Sequence, residues 1–294
     1  MNAASTPGGL IMCQGTSKIH AHRAALLFAG SLLLASGPAL AEDSPNILTD
    51  SWDMSLGTFT VNTDTQLEFD GKTSTGTKFN WESTFGGGDE TRVRFDGHWR
   101  FGDSDRHKLR WMWFNASNRN SKVLERNIEW GGQTYPIGAK VEGEFKFDIY
   151  ELAYEYAFLH HDTWELNASA GLHWASVSAT LKARANNSNG TLLVDQHKEG
   201  AVDLPLPVFG VRGLWQLPHN FFIDAQAQYF SLSIDEYDGS VTDYKIDAVW
   251  QPNRWVGIGL GYNYFKVDVD VNKKFNGSLN WAYDGPMISY NILF

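Results

Sequence analysis

The fold turns on residues 285–294, which read Gly-Pro-Met-Ile-Ser-Tyr-Asn-Ile-Leu-Phe. In an extended strand, successive side chains point to opposite faces. Phe294, Ile292, Tyr290 and Ile288 therefore share one face, while Leu293, Asn291 and Ser289 share the other. An apolar row ending on an aromatic implies that one face meets an apolar medium. That medium is either a protein core, with this strand at a sheet edge, or lipid. The upstream sequence chooses between them.

Period-two alternation recurs along the chain, and the 3.6-residue period of helices is almost absent. Over residues 57–69, Phe59, Val61, Leu67 and Phe69 oppose Thr60, Asn62, Asp64, Gln66 and Glu68. Residues 77–85 set Phe79, Trp81 and Phe85 against Lys78, Asn80 and Glu82. Residues 91–101 set Val93, Phe95, Trp99 and Phe101 against Arg92, Arg94, Asp96, His98 and Arg100. Residues 108–115 oppose Leu109, Trp111 and Trp113 to Lys108, Arg110, Met112 and Phe114. Further strands are expected over 140–158, 164–182, 206–217, 221–235, 240–251, 255–271 and 281–294. Three connections are short, polar and bracketed by aromatics: Phe158 and Trp164, Trp215 and Phe221, Trp250 and Trp255. The connections between them, notably 183–203 and 272–278, are longer and polar. Short turns with rings at headgroup level, alternating with long loops, fit a barrel in a bilayer. The apolar face then meets lipid and the charged face lines the lumen, whereas a soluble sandwich would bury its apolar face.

Lys18, His20, His22 and Arg23 precede an apolar run at 24–34, and Ala39-Leu40-Ala41 forms a small-x-small cleavage site. Residues 1–41 are read as a signal peptide and 42–294 as the barrel domain. The apolar run is about half of the roughly 20 residues that a spanning helix needs, and Pro38 follows it. Cys13 is the one cysteine and lies in this segment. Disulfide, thiol-nucleophile and zinc–thiolate chemistry are therefore excluded beyond it. The formal charge is −10, and removal of Lys18 and Arg23 makes it −12. That balance excludes nucleic acid as a partner. The chain carries 12 Trp, 11 Tyr and 18 Phe, of which only Phe28 precedes residue 42. Exported, helix-poor and aromatic-rich is the composition of a membrane barrel.

The terminal aromatic with alternate apolar residues behind it resembles the closing strand of a Gram-negative outer-membrane β-barrel. In that group the insertion machinery reads this C-terminal pattern. The resemblance implies an all-β, transmembrane, antiparallel up-and-down β-barrel in the cell outer membrane, contacting outer-membrane lipids and lipopolysaccharide. Both termini are expected on the periplasmic side, so the strand number is even. Eleven strands are clear, and a twelfth fits at 122–131 although Arg126 would then face lipid. About 12 strands are expected; ten is the alternative, with two N-terminal hairpins merged. The apolar face changes phase near Asp148 and again between Tyr264 and Val267, read either as β-bulges or as strands continuing beyond the membrane. Pro286 cannot donate to a ladder and is expected at a bulge or at the strand's membrane-entry end.

Function is assigned to the lumen. Inward-facing charges there include Asp64, Glu68, Lys78, Glu82 and the basic residues Arg92, Arg94, Arg100 and Arg110. Those four arginines form the candidate binding column, a track that would favour small anionic solutes in a narrow channel. Nearby Asp96, Glu82 and Glu68 would instead neutralise it in a filled, structural barrel. The competing class is an outer-membrane enzyme acting on lipid or peptide at the rim. Its nearest candidates are His98 beside Asp96 and His173 with Ser169, neither in a recognisable motif. Adjacent His160 and His161 point apart, so no metal and no cofactor are expected. If Ala39-Leu40-Ala41 is the cleavage site, the intact mass of the outer-membrane form corresponds to a chain starting at Glu42; retention of residues 24–41 would contradict it.

Overall fold

A computed structural model describes residues 44–87, 89–186, 192–234, 237–271 and 277–294. The signal peptide expected over 1–41 lies outside these residues. The described chain runs β1 (Trp52–Phe69), β2 (Phe79–Asn80), α1 (Trp81–Phe85), β3 (Asp89–Phe101), β4 (His107–Val123), β5 (Ile128–Trp130), β6 (Gln133–Tyr135), β7 (Lys140–His160), β8 (Trp164–Asn186), β9 (Leu192–Leu217), β10 (Phe221–Ile234), β11 (Tyr237–Asn253), β12 (Val256–Val271) and β13 (Gly277–Leu293). Ten of these strands pair antiparallel in the order β13-β12-β11-β10-β9-β8-β7-β4-β3-β1, and β13 returns to pair with β1. The sheet is therefore a closed barrel without a free edge. Ten is the lower of the two counts expected from the sequence.

Two expected wall strands lie elsewhere. Residues 77–85 give only the two residues of β2, bonded to β1, followed by α1. Asn80 caps that helix by accepting from the Ser83 amide at 2.8 Å. Trp81 and Phe85 are both buried, and a spacing of four fits one helical turn as well as it fits strand alternation. Gly86, at φ 82°, ends the turn in a conformation glycine adopts freely. Residues 122–131 likewise do not cross: β4 ends at Val123, and residues 128–130 pair only with β6. Arg126 accordingly escapes lipid, and its guanidinium donates to the Lys78 carbonyl at 3.3 Å.

The changes of apolar face have a single cause. In β7, Tyr150, Leu152, Tyr154, Tyr156 and Phe158 point outward, while Glu151 and Glu155 point inward. Nearer its start, Val141, Phe145, Phe147 and Ile149 point inward, while Glu142, Glu144, Lys146 and Asp148 point outward. The ladders to both neighbours run unbroken through this region, pairing Asp148 with Asn115 and with Ser176. No bulge lies at Asp148. The strand keeps its parity, and the medium outside it changes from lipid to water. Strand β12 behaves alike: Ile258, Leu260 and Tyr262 point out below, Lys266 and Asp268 point out above, and Phe265, Val267 and Val269 point in. About 9–11 residues suffice to cross a bilayer, whereas β7 has 21. The barrel therefore projects well beyond the membrane. By the same rule Phe59, Val61 and Leu67 face the interior, and Asp64 and Glu68 face outward instead of into the lumen. Lys78 and Glu82 lie in the segment between β1 and β3, off the wall, with Glu82 accepting from the Thr65 amide at 2.9 Å.

The terminal strand takes the facing read from the sequence, with Ile288, Tyr290 and Phe294 exposed and Ser289, Asn291 and Leu293 buried. Trp52 donates its amide to the Phe294 carbonyl at 2.6 Å, and Phe294 returns the bond at 3.0 Å. The Phe294 ring stacks on Trp52 and Trp255 at 6.2 and 6.1 Å. Pro286 faces outward, where the ladder between β1 and β13 is interrupted opposite Thr60 and Val61. Gly285 is needed beside it, because a Cβ there would lie 2.0 Å from the Thr60 carbonyl oxygen.

The inverted facing makes a stability prediction. Leu260→Arg, in the lipid belt, should cost about 2–4 kcal/mol. Asp270→Arg, exposed on the same face above the belt, should change stability by no more than about 0.5 kcal/mol. Urea titration of the refolded protein in lipid measures both; equal losses would contradict the facing.

Candidate functional site

The interior has three layers. At the end carrying Phe294, Ile47 and Leu48 fold under the barrel against Leu214, Phe222, Val249 and Leu293. The Asp50 carboxylate holds Arg254 at 2.9 Å beside them. Above this lid lies a layer of buried charge, and above that an aromatic core. Rings of Phe59, Phe114, Phe147, Phe265, Trp281 and Tyr283 interlock there, with Phe147 stacked on Trp281 at 3.9 Å and Phe114 against Tyr283 at 4.8 Å. Trp81, Phe85, Trp130 and Tyr135, from α1 and the β5–β6 hairpin, extend the core upward.

Alternation builds the charge layer. Every second residue of each lower strand faces a lumen screened from water, so a charge there is tolerable only when paired. Glu165 on β8 accepts two bonds from Arg100, at 3.1 and 3.2 Å, and another from the Lys108 ammonium. Arg100 also donates to the Ile47 carbonyl at 2.8 Å, tying the lid to the wall. Arg212 grips Asp224 through two bonds of 2.8 and 3.0 Å and lies 3.3 Å from Glu155. Arg110 bridges Glu155, at 3.0 Å, and Glu151. Lys245 pairs with Asp247 at 2.9 Å and lies 3.6 Å from Asp96. At the top Arg94 holds Asp96 and donates to Asn263 at 2.8 Å, while the Tyr283 hydroxyl donates to that same Asn263 oxygen at 2.7 Å. Charge layer and aromatic core meet at this point.

The four candidate arginines are thus placed differently. Arg94, Arg100 and Arg110 lie on the inner wall, each at most 3% exposed and each bonded to a carboxylate. Arg92 stands on the same row but higher, half-buried, and donates to the Ser117 carbonyl. The histidines considered for catalysis are sealed inside. His98 is 0% exposed and lies 3.3 Å from Asp53. His173, also 0% exposed, pairs across the ladder with Glu151, not with Ser169, and its Nε2 is 3.1 Å from Oε2. A cavity lined by Asp53, Asp96, Arg110, Arg212, Asp224 and Lys245 is water-sized, so no larger molecule fits among these groups.

Sequence reading missed three parts of this arrangement. The lid at Ile47 and Leu48 has no alternation to announce it. Alternation turns Phe59 of the aromatic core toward lipid, because parity alone does not say which side is wet, although it places Phe114 inward as observed. Asp243 joins Glu151 and His173 only because closure brings β11 opposite β7 and β8. The shared inward parity of Glu151 and His173 was the one available signal.

Buried and exposed pairs should respond differently to mutation. Glu165→Gln leaves Arg100 and Lys108 short of a counter-charge and should cost about 3–5 kcal/mol. Glu142→Gln removes the partner of Arg119, whose side chain is 60% exposed, and should cost less than about 1 kcal/mol. Denaturant midpoints of the two variants measure the difference, and similar losses would contradict a desolvated charge layer.

No family model matches the chain, and no curated protein sequence matches it. Solved structures do. The outer-membrane protease OmpT of Escherichia coli superimposes with a TM-score of 0.53 at 10% identity, over 83% of this chain and 97% of that one. The toluene transporter TodX of Pseudomonas putida gives 0.32 at 10% identity, over 83% and 90%. The attachment invasion locus protein Ail of Yersinia pestis gives 0.30 at 9% identity, over 81% and 98%. At these identities the likeness concerns the fold alone. The chain has the fold of a bacterial outer-membrane β-barrel.

Proposed function

We propose that the protein is a closed, non-conducting outer-membrane barrel, a rigid scaffold that carries its upper connections above the membrane on extended strands. The supporting observation is that the lumen is filled at successive levels, by the Ile47–Leu48 lid, the paired charges and the aromatic core. A channel needs a continuous wetted path, and the cavity among the charges is water-sized. In this reading Arg94, Arg100 and Arg110 hold opposite walls together and do not select anions. The outward apolar belt takes outer-membrane lipid and lipopolysaccharide, and the terminal strand is presented to the barrel-assembly machinery. A surface enzyme would need its acid–base groups within reach of substrate, and His98 and His173 are sealed from it.

The reading is tested in planar bilayers. The refolded protein should show no unitary current steps under a salt gradient. Steps with anion preference, lost when Arg94, Arg100 and Arg110 are together replaced by Gln, would overturn it in favour of a channel.

A further inference from the structure

The charge layer does not balance. Among the described residues, its buried carboxylates are Asp53, Asp96, Glu151, Glu155, Glu165, Asp224, Asp243 and Asp247, eight in all. Six cations face them: Arg94, Arg100, Lys108, Arg110, Arg212 and Lys245. With every carboxylate ionised, two negative charges would remain in a medium where an uncompensated ion is costly. Protonation of two of the buried carboxylates or histidines, or a single divalent cation, would restore neutrality.

Local geometry favours the ion at one place. Glu151, His173 and Asp243, all buried, each offer a ligand atom, and these atoms lie within 4.8 Å of one another. Glu151 Oε2 and both ring nitrogens of His173 make no hydrogen bond, although Nε2 and Oε2 are only 3.1 Å apart. Nε2 is thus close to the carboxylate but not aligned for a bond to it. The other carboxylate oxygens are tied down: Glu151 Oε1 accepts from Gln228 at 2.7 Å and from Arg110, and Asp243 accepts from Asn263 at 2.9 Å through Oδ1 and from Gln226 at 3.4 Å through Oδ2. A carboxylate held through one oxygen, as Glu151 is, with the other left toward a shared centre, is the usual outer support of a metal site. Asp243 is positioned by bonds to both of its oxygens. The Phe265 ring, 6.0 Å from that of His173, covers the trio from the aromatic side.

We propose that Glu151, His173 and Asp243 bind one divalent first-row cation, of which Zn²⁺ is the natural probe for an imidazole with two carboxylates. The ion pins β7, β8 and β11 together across the lumen and supplies the two missing positive charges. Its role is structural, and the site goes beyond the closed-barrel reading without depending on it. An ion this deeply enclosed enters during folding and resists chelators afterwards.

The test is to refold the full-length mature chain from metal-free denaturant with Zn²⁺ or with EDTA. Folding is checked by the gel shift between unboiled and boiled samples, and bound metal by elemental mass spectrometry. About one zinc per folded barrel is expected, retained by His98→Gln and lost from His173→Gln. A hundredfold excess over Kd should raise the unfolding temperature by about 5–10 °C. If His173→Gln fails to fold, Asp243→Asn and the zinc content of the parent decide. A folded parent with no stoichiometric zinc and the same unfolding temperature in EDTA would overturn the proposal and leave proton uptake by the buried groups to balance the charge. Equal zinc in His173→Gln and the parent would also overturn it.

Discussion

The pairing of β13 with β1 is the contact on which the rest of the molecule depends. Fifteen register pairs join the two strands from Asp53–Leu293 to Phe69–Gly277. In lipid an unpaired strand edge exposes amide and carbonyl groups that nothing else can satisfy, so a spanning sheet must close. Closure also creates an inside. Once there is an inside, alternate residues of every strand are forced together, and what they are decides whether a lumen is open. Trp52, Phe294 and Trp255 stack across the seam, and Pro286 is accommodated where the ladder is interrupted.

Given closure, the composition of the inner face follows from the medium outside it. In the lipid belt the outer face must be apolar, so polar residues go inward, where they can only pair with each other. Above the belt the outer face is wet, apolar residues go inward, and the interior becomes an ordinary hydrophobic core. The two regimes meet where Arg94, Asn263 and Tyr283 share hydrogen bonds. Arg94 belongs to the charged layer, and the Tyr283 ring belongs to the aromatic one. Buried ion pairs add little net stability over apolar packing of similar volume, but they are costly to break singly. The charged layer is thus better understood as a lock on register than as a source of stability.

Much of this was legible in the sequence, and the reasons for the rest are physical. Alternation over 91–101 and 108–115 assigned the facing of Arg94, Arg100, Lys108 and Arg110 correctly, because those residues lie inside the lipid belt, where polar means inward. The same logic reversed Phe59, Val61, Asp64 and Glu68, which lie above it. Trp81 and Phe85, four apart, satisfied strand and helix patterns alike, and the Asn80 cap tipped them to helix. The meeting of Glu151, His173 and Asp243 depends on closure over long separations, which no local pattern encodes. Ile47 and Leu48 are a pair too short to carry a period.

The central claim is that the interior is filled while the outside changes from lipid to water along each strand. Strand β7 tests it with three substitutions, since the one cysteine, Cys13, precedes the described residues. Lys146→Cys, Leu152→Cys and Ala153→Cys place a thiol outward above the belt, outward within it, and inward between Glu151 and Glu155. With a charged, water-soluble thiol reagent in native membranes, Lys146→Cys should label readily and the other two should not. Labelling of Ala153→Cys as fast as Lys146→Cys would mean a water-filled lumen and would contradict the account.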